Sequence, residues 1–386
     1  MSLQARTYFD QTQRLQFLLK TITSLQKEFE LDQLFAKLLP FVEGIGQRLV
    51  RRVQKGNNLD KNPLNELFEA LNEEMQKVDD LINNRMFSEH TPLIHKLTNH
   101  LINAGGKRLR PLLTLASAGI CDFHSDHNVR LAAIVEFIHT ATLLHDDVID
   151  ESLDRRGRPT ANKLWDNKSS ILVGDFLFAR AFQLMVEIGS LEVLSSLSNA
   201  SAEISESEVL QMSLSQNLST SKSQYMQVIR GKTAILFASA CEVGGLIAEA
   251  DNRQVEALRS YGEALGVSFQ MVDDFLDYNG NKSELGKNIG DDFREKKITL
   301  PIIYSLKNSN EMSRKFWKRT IGRGQQDDAD FEKARRILVD DRSLEMTRLE
   351  AIKWAKLAKS QLEVLPKNRF NNLLANLTDY VVARIN

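Results

Sequence analysis

An all-α fold is the expectation for this chain, and three features lead to it. Proline and glycine are sparse, 7 and 19 in 386 residues, so few positions interrupt a helix. Long segments carry apolar residues three and four apart, the spacing of one helix face, rather than in the alternation that marks strands. Several of these segments are apolar around the whole circumference, which places them at the centre of a bundle.

The elements follow in order. Residues 5 to 39 form an amphipathic helical stripe through Leu15, Leu18, Leu19, Ile22, Leu25, Phe29, Leu34, Phe35 and Leu38, closed by Pro40. A break falls at Gly56, Asn57 and Asn58, and the helical pattern resumes at Pro63. Gly105 and Gly106 interrupt it again before Pro111, a residue suited to the first turn of the next helix. Long helices are expected over 129 to 149, 171 to 188, 200 to 216, 223 to 248 and 253 to 278. Loops are expected at 279 to 292 and 319 to 330, the second followed by a charged helical C-terminal region. No repeat of 20 to 50 residues and no low-complexity tract is evident.

Composition narrows the function classes. With 50 Lys plus Arg against 51 Asp plus Glu, the net charge of -1 gives no global attraction for nucleic acid, and a polyanion must be met locally. The two cysteines, Cys121 and Cys241, are far apart and form no CxxC spacing, which argues against a disulfide framework or thiolate zinc and fits a reducing cytosol. No apolar run approaches the ~18 residues of a membrane span, and the N-terminus lacks the compact apolar stretch of a signal peptide. A cytoplasmic protein, peripheral to a membrane at most, is expected.

The chemistry is carried by carboxylates. Adjacent aspartates occur six times, but only two pairs are completed by an aspartate three residues later: Asp146, Asp147 and Asp150 in HDDVID, and Asp273, Asp274 and Asp277 in VDDFLDY. Positions i, i+3 and i+4 share a helix face, so each triad crowds three like charges at the end of a strongly apolar helix. Burying such a patch requires cations. Magnesium suits it, because this hard ion takes few protein carboxylates and completes its octahedron with water and phosphate oxygens. Two triads facing each other would hold one diphosphate through bridging ions.

Cationic residues accompany them. GGKRLRP clusters Lys107, Arg108 and Arg110 just before a helix N-terminus, a ready phosphate cradle. Arg155 and Arg156 follow the first triad, and Lys287, Lys296 and Lys297 follow the second. Arg108 and Lys296 are read as solvated loop residues, whereas the paired guanidinium forks of Arg155 and Arg156 suit phosphate oxygens. RGKTA at 230 to 234 has the tail of a P-loop, but the motif requires glycine at 226 and the chain has Met226, which disfavours nucleoside triphosphates.

These segments, GGKRLRP, HTATLLHDDVIDESLDRRGRPT, GDFLFARA, GKTAILF, FQMVDDFLDY and GKNIGDDFREKKITLP, occur in the order seen in trans-isoprenyl diphosphate synthases, which the chain resembles over roughly residues 85 to 386. The resemblance implies an isoprenoid-synthase-like helical bundle around a central cavity, a homodimer, and magnesium-dependent condensation of an allylic diphosphate, such as farnesyl or geranylgeranyl diphosphate, with isopentenyl diphosphate. It divides the chain into an N-terminal helical extension, 1-84, and a catalytic domain, 85-386. By motif, Asp146, Asp147, Asp150, Asp273, Asp274 and Asp277 bind three magnesium ions bridged to the allylic diphosphate. Arg155, Lys232, Thr233, Gln270, Lys287 and Lys297 contact that diphosphate or support its site. Lys107, Arg110, His139 and Arg156 hold isopentenyl diphosphate.

The residues are consistent with those roles. Gln270 shares a face with Asp273, Asp274 and Asp277, and His139 lies two turns before Asp146 on the same helix. His145 is read as structural, and no further ligand completes a metal site at His124 and His127. Ionised by its clamped diphosphate, the allylic carbon is attacked by the isopentenyl double bond, and a proton is lost to the departing diphosphate, since no dedicated base stands out.

Chain length is read from the helix before the first triad. Ala141 and Thr142 lie one turn below Asp146, where an allylic tail must grow, and one turn rises ~5.4 Å, close to one isoprene unit. Short-chain family members carry bulky aromatics here and long-chain members alanine, so EFIHTATLLHDD resembles octaprenyl to decaprenyl synthases, makers of a respiratory quinone side chain. Ile138, Phe176, Phe178 and Phe182 are the other candidates for the tunnel floor. Two departures stand out. Lys296 occupies a position where the family commonly has glycine, and the first ~60 residues have no counterpart in compact members. Their apolar stripe is expected to add helices to the bundle or dimer, with membrane-surface contact through Arg48, Arg51, Arg52 and Lys55 as the alternative. Rival functions are a geranylgeranyl synthase, a cyclising terpene synthase and a non-catalytic subunit of a heteromeric synthase. The second lacks support because its Asn/Ser/Glu motif is absent, the third because both triads and the basic loop survive.

Overall fold

The computed structural model describes residues 62–86, 88, 90–103, 106–155, 157–280 and 289–385. The expected helix at 5 to 39, the break at 56 to 58, the basic cluster from Arg48 to Lys55, and Gly105, Arg156 and Lys287 lie outside the described residues. The chain forms two compact units, Met1–Asn62 and Pro63–Asn386.

The second unit is built almost wholly from helices. Helix α1 (Pro63–Ala70) opens on proline, and α2 (Asn72–Arg85) buries Met75, Val78 and Ile82, a stripe with the i, i+3, i+7 spacing. Helix α3 spans Pro92–Asn103. In α4 (Leu109–Ile120) nearly every residue is buried, and Pro111 sits in its first turn as expected. The Ser125 hydroxyl accepts the His127 N–H to start α5 (Asp126–Ile149), which ends at the first acidic triad. Among the described residues the all-helical expectation has one small exception, a hairpin in which β1 (Asp154–Arg155) pairs antiparallel with β2 (Arg158–Pro159). After it come α6 (Ala161–Leu164), α7 (Asn167–Ile188), stopped by Gly189 at φ 77°, and α8 (Leu191–Leu214).

The continuous helix expected over 223 to 248 is not observed. A capping box between Ser221 and Gln224 starts α9 (Lys222–Ile229), a five-residue π-turn follows at Arg230–Ala234, and α10 (Ile235–Ile247) continues beyond it. Helix α11 (Asn252–Asn279) matches its expected bounds to a residue at each end and carries the second triad. The C-terminal third comprises α12 (Asp291–Arg294), α13 (Leu300–Asn308), α14 (Glu311–Trp317), α15 (Asp330–Asp340), α16 (Ser343–Gln361) and α17 (Arg369–Ala383).

The core runs through α4, α5, α10 and α11, with Phe137, Phe237, Tyr261 and Tyr278 fully enclosed. Helix α5 packs on α7 and α4, and α11 packs between α10 and α16. Helices α1 and α2, which the sequence reading assigns to the N-terminal extension, belong to this same unit and pack on α17 and α5 respectively. The approach of α11 to α10 is close because Gly262 and Gly266, one turn apart, face it. A Cβ on Gly266 would come within 2.7 Å of the Ala234 Cα. One turn further along α11 is Gln270, so this packing sets Gln270 opposite the π-turn.

Candidate active site

The first triad ends α5 in the arrangement that helix periodicity requires, and each member meets a cation from a different element. Asp147, 1 % exposed, receives the Arg155 guanidinium on one oxygen, Nε at 2.8 Å and Nη2 at 2.7 Å. The loop that presents Arg155 is pinned by Thr160, which donates to the Ser152 carbonyl at 2.8 Å, and by Asn162, which donates to the Asp147 carbonyl at 3.1 Å. Lys232 Nζ lies 3.9 Å from Asp146, and Lys297 Nζ 3.0 Å from Asp150.

The second triad ends α11. Asp274, 3 % exposed, accepts from the Tyr225 hydroxyl at 2.6 Å and from the Gln270 amide at 2.8 Å, and Thr233 donates to Gln270 Oε1 at 2.8 Å. Asp277 accepts three backbone N–H groups from the loop that follows, those of Gly290 (3.2 Å), Asp291 (3.2 Å) and Asp292 (3.1 Å). Asp273 pairs with Arg384 Nη1 at 3.2 Å.

Burial governs the acidity of these groups. It pushes Asp146 up to about 6, with Lys232 opposing and Glu208 and Asp150 adding to the rise. It holds Asp147 above the usual carboxylate range against the Arg155 bond. Burial and then Asp292 drive Asp274 up to about 7 and Asp277 up to about 8, in spite of the hydrogen bonds each accepts. For Lys297, burial is outweighed by Asp150, Glu295 and Asp292, so its ammonium is held above the ordinary lysine range.

Among the described residues, two links join the triads. Lys297, in the loop beyond the second triad, reaches Asp150 of the first. In the π-turn, Lys232 serves Asp146 while its neighbour Thr233 serves Asp274 through Gln270. Of the residues expected to hold isopentenyl diphosphate, Arg110 and His139 meet: Arg110 Nη1 lies 3.1 Å from His139 Nε2, and the Arg110 guanidinium stacks 4.6 Å above the Phe237 ring. Lys107 is exposed at the entry to α4, Thr142 is half-buried with its hydroxyl on the His139 carbonyl at 2.8 Å, and Ala141 is fully buried.

Arg108 departs from its reading as a solvated loop residue. Its backbone turns through φ 46° and carries the side chain inward, 2.5 Å from Glu136 and 3.4 Å from Asp79. Lys296 adopts φ 59°, the left-handed region where glycine is at ease, so the glycine-like turn persists despite the side chain. His145 packs α5 on α7, with Nε2 3.2 Å from the Ile171 carbonyl.

Four contributors were not read from the sequence. Glu208 holds Lys232 at 2.8 Å, Tyr225 caps Asp274, Arg384 meets Asp273, and Asp292 presses on Asp274 and Asp277. Asp292 stands in the quoted GKNIGDDFREKK string, and that was its signal. Tyr225 and Arg384 sit 49 and 111 residues from their partners, which no local pattern reveals.

As they stand, among the described residues no three carboxylate, histidine or cysteine groups converge on one ion position. The donor chemistry nevertheless suits a hard divalent ion. All six side chains offer oxygen, and Asp147 Oδ2 is buried with no hydrogen-bond partner.

Comparison with known proteins identifies the family. Residues 91–338 match the polyprenyl synthetase family. The octaprenyl diphosphate synthase of Haemophilus influenzae is 38% identical over 325 residues, covering 84% of this chain and 98% of that relative. A decaprenyl diphosphate synthase from Rhodobacter capsulatus superposes with a TM-score of 0.81 at 55% identity, covering 84% of this chain and 99% of that one. A polyprenyl synthase from Caulobacter crescentus CB15, solved with calcium and isoprenyl diphosphate, gives the same TM-score of 0.81 at 46% identity, again over 84% of this chain and 99% of that one. The chain is thus a prenyltransferase of the polyprenyl synthetase family, closely resembling its octaprenyl and decaprenyl diphosphate synthases.

Proposed function

We propose that the protein is a long-chain trans-polyprenyl diphosphate synthase, adding isopentenyl diphosphate units to an allylic diphosphate to give an octaprenyl to decaprenyl product. The observation that carries this reading is the double link between the two triads, Lys297 to Asp150 and the π-turn to both, which ties the acidic end of α5 to that of α11. The relatives named octaprenyl and decaprenyl diphosphate synthase support the product class, and the calcium and isoprenyl diphosphate bound by the Caulobacter enzyme support a divalent ion and a diphosphate here.

In this reading Asp146, Asp147, Asp150, Asp273, Asp274 and Asp277 would hold magnesium, which when bound would supply the positive charge that lets a diphosphate leave. Lys232, Arg155, Lys287 and Lys297 stabilise the charge that gathers on the departing oxygens. Thr233 and Gln270 orient Asp274, and burial of the acidic ends keeps water from the ionising carbon. Lys107, Arg110, His139 and Arg156 hold the isopentenyl diphosphate so that its double bond approaches the allylic carbon. Attack through the terminal alkene carbon leaves positive charge on the neighbouring carbon of the isopentenyl unit, and loss of a proton from its C2 to the departed diphosphate forms the new double bond. Ala141 and Thr142 leave room for the growing tail one turn below. A homodimer is part of the proposal, supported by the exposed apolar stripe of α7, Leu172, Phe182 and Val186.

Incubation of the full chain with farnesyl diphosphate, radiolabelled isopentenyl diphosphate and magnesium is expected to yield a linear ladder ending at eight to ten units, by analogy of size with the named relatives. A ladder ending at four units indicates a geranylgeranyl synthase, cyclic hydrocarbon a terpene synthase, and no turnover a non-catalytic subunit. Activity that survives chelation of divalent ions overturns the metal assignment.

A further inference from the structure

Gly231 is the second residue of the π-turn and is buried against α8. A Cβ placed there would run into the Ser207 hydroxyl, and it would lie 2.9 Å from Ser207 Cβ and 3.0 Å from the Glu203 carbonyl oxygen. Glu203 and Ser207 are one turn apart on α8, and the next residue, Glu208, is the one that takes the Lys232 ammonium at 2.8 Å. The turn therefore rests on the stretch of α8 that supplies the Lys232 partner. Beyond Gly231 the two consecutive side chains diverge. Lys232 goes to Glu208 and, at 3.9 Å, to Asp146; Thr233 goes to Gln270 and through it to Asp274. π-Bulges recur at functional sites, where an added residue re-aims the side chains that follow without ending the helix.

We infer that the seating of Gly231 on Ser207 holds this turn in register, and that these two residues are positioning residues through which Lys232 and Thr233 serve opposite acidic motifs. Gly231 touches no reacting atom. Its small size allows α8 and the π-turn to approach until Lys232 meets Glu208, and the Ser207 side chain fills the space that any larger residue at 231 would need. The kinetic side of this inference rests on the prenyltransfer reading above; the geometric side does not.

The test uses the full chain with Gly231→Ala and the double variant Gly231→Ala/Ser207→Gly. Amide exchange over residues 229–236 is followed alongside kcat and KM for both diphosphates, at a temperature well under each variant's melting point. The single variant is expected to exchange faster in this segment and to lose about tenfold to a hundredfold in kcat, with KM for isopentenyl diphosphate within about twofold, because a displacement near 1 Å is enough for such a loss. Removing the Ser207 side chain clears two of the three close approaches, so the double variant is expected to regain about tenfold of the lost kcat and slower exchange. A double variant as slow as the single, or a single variant that merely melts lower while turning over at the wild-type rate, overturns the inference. If wild-type protein shows no turnover, the functional reading fails, and unaltered exchange in Gly231→Ala would still overturn the geometry proposed here.

Discussion

Each aspartate of the two triads is met by a partner that a divalent ion must displace, share or outcompete. Arg155 holds Asp147, Lys297 holds Asp150, Arg384 holds Asp273, and three amides hold Asp277. These partners neutralise buried charge when no ion is bound, which the burial of the triads requires. They do not do so fully, since Asp146, Asp274 and Asp277 are pushed up to about 6, 7 and 8 respectively. Aspartates in an unfolded chain titrate near ~3.9. The fold thus prefers these three protonated: their contribution to stability is complete below the unfolded value and is lost as pH rises through 6 to 8. A divalent ion prefers them ionised and competes with protons at the lower pH. The rise in melting temperature on adding millimolar magnesium should therefore be larger at pH 8 than at pH 6, measured by calorimetry; equal shifts at the two values would contradict ion binding at these carboxylates. At this scale the sequence was legible where the signal is local. Three carboxylates at i, i+1 and i+4 had to share a helix end, and they do. Arg108 was misread because its direction depends on a left-handed backbone and on Glu136, 28 residues away.

Among the elements, α5 carries the most specific consequence. Its apolar residues face neighbours on all sides, and Ala141, fully buried, lies five residues before Asp146 along the direction in which a product tail would lengthen. Ala141→Phe is expected to stop elongation at roughly three or four isoprene units, since each helical turn matches about one unit. The larger ring also overpacks the core, at a cost of about 1–3 kcal/mol. The product ladder separates the two effects: reduced yield with an unchanged ladder is overpacking alone and contradicts the ruler. The bounds of α5 and α11 were readable because their apolar periodicity runs uninterrupted to a carboxylate cluster. The division of α9 and α10 was not. Residues 223 to 248 have continuous helical character, and nothing local in them marks a π-turn; only the fold shows that residue 231 lies where Ser207 and the Glu203 carbonyl leave room for nothing larger than glycine.

For the whole molecule, the surface of α7 sets an expectation about assembly. Leu172 is 67 % exposed, Phe182 42 % and Val186 70 %, and they fall on one face at spacings of ten and four. Leaving such a stripe in water is unfavourable, and a second copy of the chain would cover it. Replacing Leu172 and Val186 with glutamate should convert a dimer to a monomer in sedimentation equilibrium while each helix remains folded; an unchanged mass would place the interface elsewhere. Among the described residues no helix is long and apolar enough to cross a membrane. The sequence by itself determined the helical class, the two acidic triads and the family, because periodicity, like-charge spacing and motif order are properties of neighbours along the chain. Packing between helices was needed to bring Tyr225 to Asp274, Thr233 to Gln270, Glu208 to Lys232 and Arg384 to Asp273, and to let one irregular turn connect both triads. These contacts join segments distant in sequence, so their geometry is set by how the helices pack and by no pattern among chain neighbours.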